Sequence, residues 1–361
     1  MNAFPESASG NKGVCSGDTL WLRGVNWLGD SVMMLPALDA FKRAHPAVRL
    51  LMGCRPGLAA FWSLCPAVDG VTVLPPGWRG DWAASRALRR LGISRAVVFP
   101  NSFRSAWVPW LAGIPERAGF SGHARRFLLT RLVHRVSYSG SVHQALDYFS
   151  LLGVAPDRVP PVLDGMMRIP EETVAVITER IRSIASGQPG FPVAGPWVAV
   201  APGAARGGAK RWPAGHFSAA AAGLAQARGC GVIVCGTAAE QEAGAQIAAA
   251  VPGGAINLAG STSLAELAAV FRLCRLVLCN DSGAMHLSAA AGTPVVAVFG
   301  LTDPGRTGPL GRGHAVLAPA GVSGNAVIAR ELEEAAVALA SIRPDQAVAA
   351  AIRILDGNLN D

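Results

Sequence analysis

Short runs rich in Val, Leu and Ile alternate along this chain with amphipathic segments, and the alternation is run through twice. From Thr19 the order is "TLWLRGV", a helical pattern over 31 to 44, "VRLLMG", a helical pattern near 57 to 64, "GVTVLP", a third helical pattern over 82 to 91, and "RAVVFP". From residue 197 it restarts as "WVAVAPG", helix 213 to 228, "GVIVCGT", helix 238 to 250, "AINLAG", helix 263 to 274, "LVLCND", helix 282 to 291 and "PVVAVFG". Strands joined through helices pair in parallel, and a parallel sheet needs helices on both faces. The expected fold class is therefore α/β, with two Rossmann-like, doubly wound parallel sheets.

Between the two series lie "PDRVPPVLDGMMRIP", with four prolines, and "GQPGFPVAGP", with three prolines and three glycines, around a helical pattern at 171 to 186. That punctuation marks a domain boundary. The domains are placed at 18–166 and 167–361, and the last strong helix, near 344 to 355, is free to pack back on the first domain.

Ligands of open α/β sheets bind beyond the carboxyl ends of the strands, so the residues that follow each strand are the candidates for chemistry. After "WVAVA" comes "PGAARGGAKRWP", where Gly203 and its neighbours let backbone approach a ligand and Lys210 and Arg211 add charge before a helix. After "RLVLC" comes "NDSGAMH": Asp281 or Ser282 can cap a helix whose first amides, at Gly283 and Ala284, point at an anion, with His286 one turn on as donor or proton carrier. After "GVIVCG", Glu240 or Glu242 opens a helix, either to accept hydrogen bonds from ribose hydroxyls or to complement the helix dipole. In "GVNWLGDSVMMLPALDAF", Asp30 is either an N-cap or a carboxylate that takes a proton from an attacking hydroxyl. Spacing leaves both open.

Several classes fall away. The chain has no GxxxxGK[ST] and no GxGxxG after a strand, and its seven histidines show no HExxH-like spacing, so no metal or cofactor is expected. The seven cysteines form no CxxC pair and several lie in apolar runs, as buried thiols of a reducing compartment do. The first 17 residues lack a signal-like apolar core, and no run reaches the roughly 18 apolar residues that span a bilayer. A cytoplasmic protein is expected, at most peripheral to a membrane. Charge is unevenly divided: residues up to 170 hold 19 basic and 10 acidic side chains, against 13 and 14 beyond. The first half is thus suited to an anionic partner. With only 2 Tyr in the chain, nucleic acid is not that partner.

Taken together, "NWLGDSVMMLPAL", "FPNSFRSAWVPWLAGIPERAGF", "PGAARGGAKRWP", "NLAGSTSLAEL", "NDSGAMHLSAAAGTPVVAVFG" and "TDPGRTGPLG", in order from about residue 20 to 311, resemble the bacterial ADP-heptose:lipopolysaccharide heptosyltransferases of glycosyltransferase family 9, most closely those adding the second heptose. The resemblance implies a GT-B fold, two Rossmann-like domains facing an interdomain cleft, with the acceptor on the N-terminal one and the nucleotide sugar on the C-terminal one. It also implies inverting, metal-independent transfer of heptose from ADP-heptose to the anionic lipid A inner core, at the inner membrane surface. Carried over by position, Asp30 becomes the general base. Gly203, Lys210, Ser282, Gly283, Ala284 and His286 become the phosphate cradle, Asp281 a holder of sugar hydroxyls and Glu240 a holder of ribose. Asn101, Ser102, Arg104, Arg117 and Arg125 fall on the acceptor side, with Arg126, Arg131 and Arg135 adding charge. Two positions depart from the family pattern, Ala205 in place of an acid and Leu301 in place of a small residue. Residues alone also admit a related transferase with another donor or acceptor, and a non-catalytic binder of nucleotide or polyanion.

Overall fold

Trp21 lies wholly buried in the first strand, β1 (Thr19–Arg23), and its neighbour β2 (Arg49–Cys54) makes room for it with a glycine. A Cβ at Gly53 would fall 2.3 Å from the Trp21 ring. Such strands are apolar from end to end because both faces of the sheet are covered. The computed structural model describes residues 18–122, 124–135, 142–157, 161–163, 165–204, 210–300, 302–319 and 333–357. Ala205 and Leu301 lie outside them.

The first unit continues through α1 (Leu28–Ala44), β2, α2 (Ala59–Ser63), β3 (Gly70–Val73), α3 (Gly77–Arg90), β4 (Arg95–Val98), α4 (Phe103–Leu111), β5 (Glu116–Phe120), β6 (Arg131–Val133) and α5 (Ala145–Leu152). The second contains α6 (Glu171–Ser186), β7 (Trp197–Ala201), α7 (Ala214–Arg228), β8 (Gly231–Val234), α8 (Gln241–Ala250), β9 (Ala255–Asn257), α9 (Leu264–Leu273) and β10 (Val277–Asn280). It ends with α10 (Gly283–Ala290), β11 (Val295–Val298), α11 (Pro304–Thr307), β12 (Ala315–Leu317), α12 (Glu333–Ala340) and α13 (Pro344–Leu355). The two compact units divide between Arg168 and Ile169.

Each unit holds one six-stranded sheet, in the orders β3-β2-β1-β4-β5-β6 and β9-β8-β7-β10-β11-β12. Every described pairing is parallel. Strand order reverses between β1 and β4 in the first sheet and between β7 and β10 in the second, which is where doubly wound sheets open a crevice for ligands.

Local chemistry sets the helix ends. Gly153 and Gly229 stop α5 and α7 in the left-handed conformation, at φ 70° and 59°. Ser263 and Glu266 close a reciprocal capping box at the start of α9. The helix expected from residue 238 is split: Thr237 and Glu240 form a capping box over a short 3-10 turn, and the α-helix starts only at Gln241. In the second core Phe217 and Leu224 of α7 meet Val198, Val232 and Ile247, each such burial being worth roughly 1.5–3 kcal/mol. The last helix packs on α7, β11 and β12 of its own unit. Ala350, Ala351 and Ile354 join the same core, and the Trp212 indole donates to the Ile342 carbonyl at 2.9 Å. The apolar stripe of α13 is thereby used up close to its own sheet.

Six described cysteines, at 54, 65, 230, 235, 274 and 279, are buried and free. Burial pushes the Cys54 thiol up to about 11 and Cys235 up to about 12, so both stay protonated and unreactive. Among the described residues no single helix is long and apolar enough to cross a membrane.

Candidate active site

In the second unit the strands that flank the reversal of order, β7 and β10, carry the two most unusual loops. Their carboxyl ends are tied together by Asn280, which is wholly buried. Its side-chain oxygen accepts from the Trp212 amide at 3.0 Å and its nitrogen donates to the Pro202 carbonyl at 2.7 Å. One amide thus sets the height of the glycine loop after β7 against the helix start after β10. Gly203 is required by packing: a Cβ there would lie 2.1 Å from Glu240 Oε1. Glu240 meanwhile accepts from the Thr237 amide at 2.6 Å and hydroxyl at 2.9 Å through Oε2. One carboxylate oxygen is occupied by the cap and the other lies over the glycine loop.

Lys210 donates to Asp281 Oδ2 in a largely buried ion pair. Next to it Ser282 stands at the N-cap of α10 in extended conformation, at φ −148° and ψ 174°, and makes no capping bond. Its hydroxyl is buried, with no hydrogen-bond partner among the described residues. Gly283 and Ala284 supply the first amides of α10, and His286, the fourth residue of that helix, is buried. Helix-start amides, a helix dipole and an adjacent lysine form an anion site on physical grounds.

In the first unit the corresponding strands are β1 and β4. Asp30 is the third residue of α1, whose N-cap position belongs to Trp27 in extended conformation. The Ser31 amide and hydroxyl both donate to the Trp27 carbonyl, at 3.0 Å and 2.9 Å, which starts the helix three residues earlier than the pattern predicts. The capping alternative for Asp30 is therefore overturned. Its Oδ1 accepts from Gln144 Nε2 at 2.8 Å, and the same nitrogen donates to the Tyr148 hydroxyl at 2.9 Å. Burial first, and then the Asp30 charge, push the Tyr148 phenol well above its ordinary range, so it stays neutral beside the carboxylate.

After β4, Asn101 is half-buried, Ser102 caps α4 by accepting from the Ser105 amide at 3.3 Å, and Arg104 Nε donates to Asp81 Oδ2 at 2.8 Å. Two expected acceptor residues prove otherwise. Arg125 is wholly buried, and its N–H groups are all spent: Nε and one terminal nitrogen on the Phe120 carbonyl, the other contacts on the Pro100 carbonyl, Ser105 Oγ and Asn101 Oδ1. It clamps the loop that carries Asn101, and burial together with the Arg135 charge lowers it to about 10. Arg117 sits at the amino edge of the sheet, donating to the carbonyls of Ile114, Pro115 and Leu128, away from the edge where ligands bind. Burial lowers it as well.

Sequence reasoning passed over Asn280, Gln144 and Tyr148. Asn280 is legible in retrospect as the first letter of "NDSGAMH"; Gln144 carries no local signal, because its partner is 114 residues away. Among the described residues no cluster of three or more His, Cys, Asp or Glu is placed to hold a metal ion.

Residues 82–322 match the family model described as glycosyltransferase family 9 (heptosyltransferase). The chain belongs to this family. It is 32% identical to lipopolysaccharide heptosyltransferase 2 of Escherichia coli K12 over 305 residues, which covers 80% of this chain and 84% of that one. It is 33% identical to lipopolysaccharide heptosyltransferase 2 of Salmonella typhimurium LT2 over 307 residues, with the same coverage of 80% and 84%. Among solved structures it is similar to ADP-heptose lipopolysaccharide heptosyltransferase II of E. coli, with a TM-score of 0.76, 26% identity, and coverage of 94% of this chain and 99% of that one. The protein is a glycosyltransferase with the two-sheet fold of that family.

Proposed function

We propose that this glycosyltransferase moves L-glycero-D-manno-heptose from ADP-heptose to the heptosyl-Kdo2-lipid A inner core of lipopolysaccharide, adding the second heptose. The names of its relatives support heptose transfer. The observation that carries the reading is the arrangement around β10: a buried Lys210–Asp281 pair beside a buried, unpartnered Ser282 hydroxyl at the start of α10. A diphosphate would give Ser282 its acceptor and share Lys210, and the α10 amides would hold the charge that develops as ADP departs. Asp281 and Glu240, freed in part from their present partners, would take sugar and ribose hydroxyls.

Asp30 is the proposed general base. Gln144 donates to one of its oxygens, and the carboxylate would take the proton of an acceptor hydroxyl as that hydroxyl attacks the anomeric carbon. A single displacement opposite ADP inverts the centre and needs no covalent intermediate. Asn101, Ser102 and Arg104 are proposed to meet the anionic acceptor, with the enzyme working at the cytoplasmic face of the inner membrane. The test is incubation with ADP-heptose and either heptosyl-Kdo2-lipid A or Kdo2-lipid A, with the product followed by mass spectrometry. One added heptose on the first acceptor is expected. Turnover only with Kdo2-lipid A would move the enzyme to the first transfer, and turnover only with another nucleotide sugar would overturn the donor.

A further inference from the structure

Helices α3 and α4 lie side by side on one face of the first sheet. The Ser85 hydroxyl of α3 donates to the Val108 carbonyl of α4 at 3.0 Å, and Arg104 reaches back to Asp81. On α3 the buried residues are Gly80, Asp81, Ala84, Ser85 and Leu88, which fill one arc of the helix. The opposite arc exposes Trp78 and Trp82 together with Arg79, Arg86 and Arg90, and otherwise only Gly77, two alanines and Arg89, which donates to the Leu111 and Ala112 carbonyls at the end of α4. No acid, amide or hydroxyl stands on it, because the one acid of the helix, Asp81, is buried and paired with Arg104. A solvated helix face mixes both signs of charge, and this one does not.

The α4 helix extends the surface. Phe103, Trp107 and Trp110 form a stripe one turn apart, with ring centroids 5.9 Å and then 5.0 Å from each other. Trp78 is 68% exposed, Trp82 52%, Phe103 45% and Trp110 42%. Four exposed large aromatics on two adjoining helices are more than a protein leaves to water without a use. The Arg79 guanidinium lies over the Trp78 ring, 5.4 Å from its centroid, so charge and ring are presented together.

We propose that the outer face of α3 and α4 is a membrane-docking surface that seats in the headgroup layer of an anionic bilayer. Indole rings favour the boundary between headgroups and hydrocarbon, and arginines without neighbouring acids complement lipid phosphates. The face is the outer side of two adjoining helices, whereas single-stranded nucleic acid is held in grooves. Helices run antiparallel to the strands they follow, so the amino ends of α3 and α4, with Trp78 and Phe103, stand at the carboxyl edge beside Asn101 and Ser102. A docked bilayer presents its headgroups at that edge. Its role in catalysis rests on the glycolipid reading of the acceptor; the docking itself stands on the side chains.

The test is co-sedimentation of the full chain with phosphatidylcholine vesicles, with and without phosphatidylglycerol, together with tryptophan fluorescence. Binding to the anionic vesicles, weakened by salt and accompanied by a blue shift, is expected. The variants Trp78→Ser/Trp82→Ser and Arg86→Gln/Arg90→Gln should each lower partitioning by about tenfold or more. Their transfer to a water-soluble, deacylated acceptor should match the parent, which also shows that they are folded. Equal binding by parent and variants, or no vesicle binding by the parent, would overturn the proposal. So would self-association or DNA binding through this face in place of vesicles. Transfer without vesicle binding would sink the docking and spare the proposed reaction, and vesicle binding without transfer would do the reverse.

Discussion

The two sheets share one strand order, yet the residues beyond their carboxyl edges are organised by opposite means. In the first, long cationic side chains turn inward: Arg23 is buried and donates to the Gly24 and Gly53 carbonyls and to Asn26 Oδ1, and Arg125 ties the loop after β4 to the end of β5. A guanidinium fork satisfies several carbonyls at once, so the loops can be irregular and still be held, and the carboxylate at this edge, Asp30, is held by Gln144. In the second sheet Asn280 and glycine packing do the holding, and among the described residues the Ser282 hydroxyl is left without a hydrogen-bond partner. Topology supplies the crevice in both; which groups are presented there decides whether the crevice suits a base or an anion.

If that division of labour is right, Asp30→Asn should lower turnover by about 10² to 10⁴ fold, the range for loss of a general base, while calorimetry shows ADP affinity unchanged. A fall in ADP affinity of similar size would mean that the halves do not divide the work as argued.

The Lys210–Asp281 pair puts the second half to a harsher test, because charge and stability are joined there. Lys210→Ala or Asp281→Ala leaves a buried charge alone and should cost about 3–5 kcal/mol of stability, read in urea. Lys210→Met with Asp281→Leu should recover most of it. ADP binding should stay weak in every variant lacking Lys210; ADP binding of parental strength in the double variant would remove the lysine from the phosphate site.

A smaller effect is expected where glycine alone is the device. Gly203→Ala drives a methyl into the Glu240 carboxylate and should cost about 1–3 kcal/mol, with weaker ADP binding. Glu240→Ala in the same chain should relieve the clash. If Gly203→Ala is silent, the loop is looser than its packing implies.

The difference between the halves also explains what was legible in the sequence. Parallel sheets announce themselves through continuous apolar strands, and the glycine and "NDSGAMH" loops do so through residue types that only a close backbone approach calls for. Arginines are ambiguous in sequence: the basic excess of the first half suits an anionic partner, but Arg23, Arg117 and Arg125 spend N–H groups on carbonyls within the protein. The helix start at Asp30 was misplaced because Trp27, a residue with no capping side chain, takes the N-cap by backbone geometry alone. Gln144 was invisible because the contact that matters joins α1 to the start of α5 across more than a hundred residues.

The mildest way to separate the halves is acid. His314, just before β12, accepts from the Val295 amide at 3.3 Å through Nδ1, and Nε2 lies 3.1 Å from the Leu310 carbonyl. Both contacts are satisfied by the neutral ring with its proton on Nε2. A second proton on Nδ1 would face the Val295 N–H, and burial lowers the His314 pKa below that of an ordinary imidazole. The folded state therefore binds this proton less readily than the unfolded one. Its contribution to stability is whole above the unfolded pKa and shrinks as pH falls below it, by at most about 1.4 kcal/mol per pH unit. Urea unfolding of the parent and of His314→Gln at pH 7.5 and 5.5 should show the parent losing more stability on acidification, with the loss in the C-terminal unit. An equal loss in both chains would place the acid sensitivity elsewhere and leave this edge of the second sheet as insensitive to pH as the arginine-clamped loops of the first.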